Sequence, residues 1–251
     1  MTGTALITGG QQGIGLGIAQ ALHGAGWRIV LMSERAHDDP AVAEALLLLP
    51  GAAHVTHDIA ETEGIPAALD AAEAAIGPIT TLVSNAGVPA MVRGDLLEMT
   101  TESFDRCMSV NLRGAFFLVQ ECARRMLSGR AGPYRSIHVV TSVSAAIVSP
   151  DRAEYCISKA GASMMTQALA ARLAPEGIGV FELRPGIIRT PMTEPVADRY
   201  DARIAGGLVP AGRWGEPVDI GKVIVPLARG DFAFATGAVI PVDGGLSIHR
   251  L

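Results

Sequence analysis

The 251-residue sequence predicts a single α/β domain: a doubly wound parallel sheet of about seven strands with helices on both faces. Three observations carry that expectation. Short apolar, β-branched runs alternate with longer Ala/Leu-rich stretches, which calls for parallel strands joined by right-handed helical crossovers. No Pro/Gly/Ser linker, charge block or repeat of 20 to 50 residues divides the chain. A chain of 26.0 kDa can bury about 72% of its unfolded surface, so one large core forms without a disulfide or metal staple.

The strands expected in order are TALIT (4–8), RIVLM (28–32), AHVTH (53–57), TTLVS (80–84), SIHVVT (136–141), GVFELR (179–184) and AVIPV (238–242). Helical stretches of about 10 to 20 residues separate them. The first is LGIAQALHGAG, opened by the glycine-rich run at 8–15, and the clearest is YCISKAGASMMTQALAARLA at 155–174.

Composition narrows the function classes. Hydrophobic residues at 49% and charged residues at 18% exclude intrinsic disorder. A net charge of −5 leaves no basic surplus for a phosphate backbone or an anionic bilayer, so neither nucleic acid nor membrane is expected as a partner. Cys107, Cys122 and Cys156 are odd in number and lack Cys-x-x-Cys spacing, which suits reduced thiols in a soluble, cytoplasmic protein. The six histidines show no ligand spacing, and no metal site is expected.

The first chemical signal is TGGQQGIG, Thr8 to Gly15, between the first strand and the first helix. Phosphate binding at such a turn needs glycines that let backbone approach the pyrophosphate, and a helix N-terminus whose free N–H groups favour negative charge. Gly9, Gly13 and Gly15 meet that need, with Gln11, Gln12 and Ile14 beside them. Three residues separate the first two glycines, so this is a variant of the usual dinucleotide fingerprint, and a merely tight turn is the plainer alternative.

The second signal is Tyr155 and Lys159, four apart on one helix face. With three Tyr and two Lys in the chain, about 0.02 such pairs are expected by accident. An ordinary phenol near pKa 10 is a poor base at pH 7, and a neighbouring ammonium favours the phenolate, so the pair suits general acid–base work.

With these pieces quoted, the chain resembles the short-chain dehydrogenase/reductase family over its whole length. The matching segments are TGGQQGIG, His57-Asp58-Ile59, Ser84-Asn85-Ala86-Gly87, Asn111 in SVNLRGAFF, Ser142 in VVTSVSA, Tyr155 with Lys159, RPGIIRTPM and the late VDGG. The resemblance implies a Rossmann-type fold and hydride transfer between a nicotinamide cofactor and a carbonyl or secondary alcohol. In it Tyr155 is the general acid/base, Ser142 bonds the reacting oxygen, Lys159 holds the nicotinamide ribose and Asn111 positions a proton-relay water. It further places Asp58 and Ile59 at the adenine, Asn85, Ala86 and Gly87 beside the adenosine ribose, and Pro185, Gly186, Ile188 and Thr190 at the carboxamide. A rigid, proline-punctuated loop is the plainer account of the last segment.

Cofactor choice stays open between NAD and NADP. The second strand ends in Ser33-Glu34-Arg35, and Ser33 falls where a carboxylate would take the ribose 2′-hydroxyl. Glu34 can reach that hydroxyl, whereas Arg35 can pair with a 2′-phosphate; the latter predicts that Arg35→Ala weakens NADP(H) more than NAD(H). The 3-oxoacyl-carrier-protein reductase branch is the nearest resemblance, with Arg124 and Arg125 as cations for an acidic acyl carrier protein. Glu176 opposes such a carrier by repulsion. Sugars, polyols and small ketones therefore remain as substrates, with residues 191–214 as a variable lid, and a nucleotide-sensing protein without turnover as the alternative outside enzymes. Trp214 is either a wall of the site or a packing residue. Cys156 points about 100° away from Tyr155 and is read as packing. The family resemblance implies a homo-oligomer, a tetramer.

Overall fold

The computed structural model describes residues 3–129 and 132–249. Seven strands form one parallel sheet in the order β3-β2-β1-β4-β5-β6-β7, with β1 at Thr4–Thr8, β2 at Arg28–Ser33, β3 at Ala53–Thr56, β4 at Thr81–Ser84, β5 at Arg135–Val140, β6 at Ile178–Pro185 and β7 at Val239–Val242. Each strand overlaps its expected run, with ends shifted by at most one residue. Such strands can be read from sequence because both faces of a parallel sheet are covered, which makes them near-continuous apolar runs.

Period-2 alternation divides the core. Ala5, Ile7, Ile29, Leu31 and Val83 face α1 (Gly13–Gly24), α2 (Pro40–Leu48) and α8 (Pro217–Arg229). Leu6, Val30, Met32 and Leu82 face α3 (Ile65–Ile76), α5 (Ala115–Ser128) and α6 (Ala153–Leu173). Full burial of each large side chain, Leu6 or Ile7 for example, contributes roughly 1.5–3 kcal/mol. Helices α1 and α8 approach closely because small residues meet there. A Cβ on Gly17 would lie 2.5 Å from the Pro217 Cβ, and one on Gly221 would lie 2.7 Å from the Ala21 Cβ.

The chain reverses direction across the sheet between β1 and β4, which opens a crevice at the carboxyl ends of the strands. Two further helices flank it. Helix α4 (Thr101–Met108) runs into a wider π turn at Ser109–Gly114 before α5, and α7 (Ala197–Ala205) lies in the segment expected to be a lid. Trp214 is a packing residue: it is buried with Ile204 and Val209, and its Nε1 donates to Asp201 at 2.6 Å.

Candidate active site

The glycine loop is a backbone cradle. Gly9 and Gly13 take φ values of +62° and +53°, a region that disfavours side chains, and a Cβ on Gly15 would lie 2.2 Å from the Gly9 carbonyl oxygen. Helix α1 starts at Gly13 with no side-chain cap and no acidic residue in its first turn, so its leading N–H groups remain available to an anion. Gln11 is buried, and its Oε1 has no partner among the described residues. Thr8, which sequence reasoning missed as a site residue, braces the cradle. Its Oγ1 accepts from the backbone of Asn85 at 3.0 Å and of Ala86 at 2.9 Å, while Asn85 Nδ2 donates back to the Thr8 carbonyl at 2.9 Å.

Gly9, Gly13, Gln11 and Asn85 line a cleft of about 500 Å³ that also takes in Ile14, Gln12, Ser33, Asp58, Ile59, Ala86, Gly87, Tyr155, Lys159 and Thr190. Asp58 accepts from the Ala60 backbone at 2.9 Å, which fixes its turn. Gly87 gives room, since a Cβ there would lie 3.1 Å from Asn111 Oδ1 and 3.4 Å from Lys159 Nζ. At the far end, Ser33 and Glu34 are in the wall and Arg35 is not. Ser33 is turned inward, its hydroxyl bonded to His54 Nε2 at 3.0 Å. Arg35, the alternative reader at this strand end, has its guanidinium against Asp39 at 3.0 Å and Glu34 at 3.5 Å. Glu34 is the charged side chain that the strand end presents to the cleft. Cradle, acidic strand end and buried lysine together fit a dinucleotide.

Beyond the cleft lies a second cavity of about 300 Å³, lined by Ser142, Pro185, Gly186 and Ile188 and by residues 192–208 in part. Gly186 must be glycine to pass the chain: a Cβ would lie 2.7 Å from the Asp243 Cα. Tyr155 and Thr190 line both spaces. Ser142 follows β5 and accepts from the Ser144 backbone at 3.0 Å, and its hydroxyl favours the ionised form of the Tyr155 phenol.

Lys159 is only 5% exposed, and its Nζ donates to the Val140 carbonyl at 3.1 Å. Burial lowers its pKa to about 8. Asn111, 2% exposed, sits on the π turn and does not line either space. Its Oδ1 accepts from Val88 N at 2.7 Å, and its Nδ2 donates to the Val88 carbonyl and to Ser158 Oγ, each at 3.0 Å. Gly114 permits that turn, because a Cβ there would collide with the Ile59 carbonyl.

The phenol departs from expectation. Burial raises the Tyr155 pKa, opposed first by the Ser142 hydrogen bond and then by the charge of Arg152. The Arg152 guanidinium carbon lies 5.1 Å from the ring centroid, nearer than Lys159 Nζ at 5.8 Å, which is turned toward Val140. Sequence reasoning missed Arg152; its position three residues before Tyr155 was the available signal.

Arg125 is held within the fold. Its guanidinium is held by Asp70 at 2.7 Å, Glu73 at 3.0 Å and Glu121 at 3.1 Å, and it joins α3 to α5. Arg124 is exposed beside Glu121, and Glu176 pairs with Arg172. All three cysteines are free, and burial pushes the Cys107 thiol up to about 11 and Cys122 up to about 12, which leaves them unreactive.

A family model described as enoyl-(acyl carrier protein) reductase matches residues 9–247. Over 246 residues the chain is 35% identical to the 3-oxoacyl-[acyl-carrier-protein] reductase MabA of Mycobacterium tuberculosis, covering 97% of this chain and 92% of that protein. It is 32% identical to the NADP-dependent (R)-specific alcohol dehydrogenase of Lentilactobacillus kefiri, over 96% of this chain and 95% of that one. A crystal structure of the 3-oxoacyl-[acyl-carrier protein] reductase from Brucella melitensis in complex with NAD superposes with a TM-score of 0.96 at 48% identity, covering 100% of this chain and 99% of that chain.

Proposed function

The chain belongs to the short-chain dehydrogenase/reductase family, an NAD(P)-dependent oxidoreductase, and on that premise we propose that it reduces a 3-oxoacyl substrate with Tyr155 as the general acid. One observation carries the reading: Tyr155 lines both the dinucleotide-sized cleft and the second cavity, and Ser142 lines the second cavity with it. A bound dinucleotide supplies hydride at the nicotinamide C4. Tyr155 gives its proton to the carbonyl oxygen as the carbonyl carbon is reduced, and Ser142 donates a hydrogen bond to the same oxygen. Lys159 keeps N–H donors for the nicotinamide ribose beyond the one spent on Val140. Asn111 holds the Val88 and Ser158 groups that shape the wall behind Lys159, and through it the relay of the replacement proton.

Between the two cofactors the strand end supports NAD, because Glu34 can accept from a ribose 2′-hydroxyl and would repel a 2′-phosphate. The Brucella melitensis relative holds NAD, whereas the Lentilactobacillus kefiri relative is NADP-dependent. A second reading, reduction of a free small ketone, sugar or polyol, is favoured by the commitment of Arg125 to three carboxylates, which removes it from an acyl-carrier docking patch. Residues 191–214 belong to the single domain as the lid over the second cavity. Exposed Phe116, Phe117, Ile157 and Met164 on α5 and α6 support a homo-oligomer, a tetramer in this reading, and the free thiols support a reducing, cytoplasmic setting.

The test is Tyr155→Phe, followed as NADH absorbance at 340 nm with 3-oxobutanoyl thioester, small ketones, sugars and polyols. Turnover falls at least about 100-fold while NADH affinity by fluorescence titration stays near wild type. Unchanged turnover would overturn the assignment of the phenol.

A further inference from the structure

The charge inside the second cavity has the opposite sign to the molecule. The chain carries a net charge of −5, yet the charged side chains lining this space are Arg93, Arg152, Arg199 and Arg203, with no acidic residue among the lining residues. Arg93 and Arg199 share one carboxylate, Asp151, at 3.5 Å and 4.0 Å. Arg203 has no ion pair among the described residues. Arg152 is the most committed to the interior: its Nη2 donates to Ser144 Oγ at 3.0 Å, and its Nε is buried without an acceptor among the described residues. A buried donor of a charged group left unpaired is costly, so such an atom points to a ligand acceptor that completes it.

We propose that this cavity receives a carboxylate, so that the substrate is a small oxo acid reduced as its anion, with Arg152 taking the carboxylate. The inference rests on the hydride-transfer reading and narrows its substrate class. Arg152 lies 5.1 Å from the Tyr155 ring centroid, so an anion on it stands a few bonds from the oxygen that Tyr155 protonates. That separation suits a 2-oxo or 3-oxo acid. The remaining wall mixes hydroxyl groups with the apolar side chains of Ile147, Val148, Ile187 and Leu208, and about 300 Å³ is the small end of ligand cavities, which suits a short chain. The carboxylate is unchanged in the step. Hydride adds to the carbonyl carbon, the carbonyl π pair moves to oxygen, Tyr155 supplies the proton, and the product is the hydroxy acid. A carboxylate offers a guanidinium opposite charge and two parallel acceptor oxygens, whereas a neutral ester offers one carbonyl acceptor, which sets the preference.

The experiment compares 3-oxobutanoate and 3-oxopentanoate with their methyl esters, using NADH and the wild-type, Arg152→Gln and Arg152→Lys enzymes. Wild type is expected to favour each anion over its ester at least about tenfold in kcat/KM. Arg152→Gln brings that ratio to about one, and Arg152→Lys keeps most of it. The ratio separates charge recognition from the influence of Arg152 on the phenol, which acts on acid and ester alike. A wild-type ratio near one, or loss in Arg152→Gln equal for acid and ester, overturns the proposal. Reduction of 3-oxobutanoyl thioester without reduction of the free acids also overturns it while leaving hydride transfer standing. If wild type reduces no carbonyl compound, the hydride reading falls, and calorimetric titration of the NAD-loaded enzyme decides separately. Binding of 3-hydroxybutanoate that exceeds its methyl ester and is lost in Arg152→Gln supports the anion site; equal or absent binding refutes it.

Discussion

The two spaces that meet at Tyr155 are built from different materials. The dinucleotide cleft is made largely of backbone: glycines at 9, 13 and 15, an uncapped helix start, and strand ends braced by Thr8 and Asn85. The second cavity is made mostly of side chains from distant stretches, around 89–93, 141–155 and 185–208, with Ile14 and Leu246 added. Backbone N–H groups read a phosphate wherever the turn geometry is right, and glycine spacing shows that geometry in the sequence. A wall of side chains exists only after distant segments have packed. The cleft therefore sets the reaction class and the cavity sets the substrate.

The largest effect breaks the backbone half. Gly15→Val is expected to lower NADH affinity at least about 100-fold, since its side chain must displace the Gly9 carbonyl at 2.2 Å and Asn85 Nδ2 at 2.7 Å. Fluorescence titration measures the affinity, and far-UV circular dichroism confirms that the sheet persists. Wild-type affinity in a folded variant would show that the loop does not hold the phosphates.

A smaller effect sharpens the contrast at the strand end, where one side chain acts inside the backbone-built cleft. Glu34→Ala is expected to weaken NADH about tenfold and leave NADPH unchanged or tighter, while Arg35→Ala shifts both by less than about threefold. Equal losses of NADH and NADPH in Glu34→Ala would remove Glu34 as the ribose reader. A loss confined to NADPH in Arg35→Ala would restore Arg35 to the role that sequence alone left open.

What could be read in advance follows the same division. The five inner strands were legible because each is buried and apolar over four to eight residues, and the half-exposed edge strands β3 and β7 because their runs carry valine and isoleucine. Most of the cleft residues were legible from motifs local in sequence. Arg125 was not, because its partners Asp70 and Glu73 lie more than 50 positions away, and nothing in ECARRM announces them. Asn111 could be read as a site residue, but its setting could not: a π turn follows from Gly114 fitting under the Ile59 carbonyl, which no periodicity encodes. Arg152 escaped notice because an arginine at a helix start reads as exposed until the segments around 89–93 and 185–208 pack to form the cavity that it lines.

The smallest effect concerns the two cations beside Tyr155, one on each side. Arg152 stands in the cavity wall and Lys159 in the cleft wall. Burial brings the folded pKa of Lys159 to about 8, below an unfolded value of about 10.4. Between those values the unfolded chain binds a proton that the folded chain has released, so stability rises with pH across this window and is flat below it. From pH 8 to pH 9 the gain is about 1 kcal/mol. Tyr155 adds no slope there, because its raised pKa leaves the phenol protonated in both states until pH exceeds about 10. Urea midpoints of the ligand-free protein at pH 7, 8 and 9 should therefore rise for wild type relative to Lys159→Met, which lacks the titrating group. Parallel curves for the two proteins would mean that the ammonium is solvated and stays charged in the folded protein. A gain that disappears when NAD is present would place the ammonium against the bound dinucleotide, since a ligand that favours the charged form raises the folded pKa toward its unfolded value.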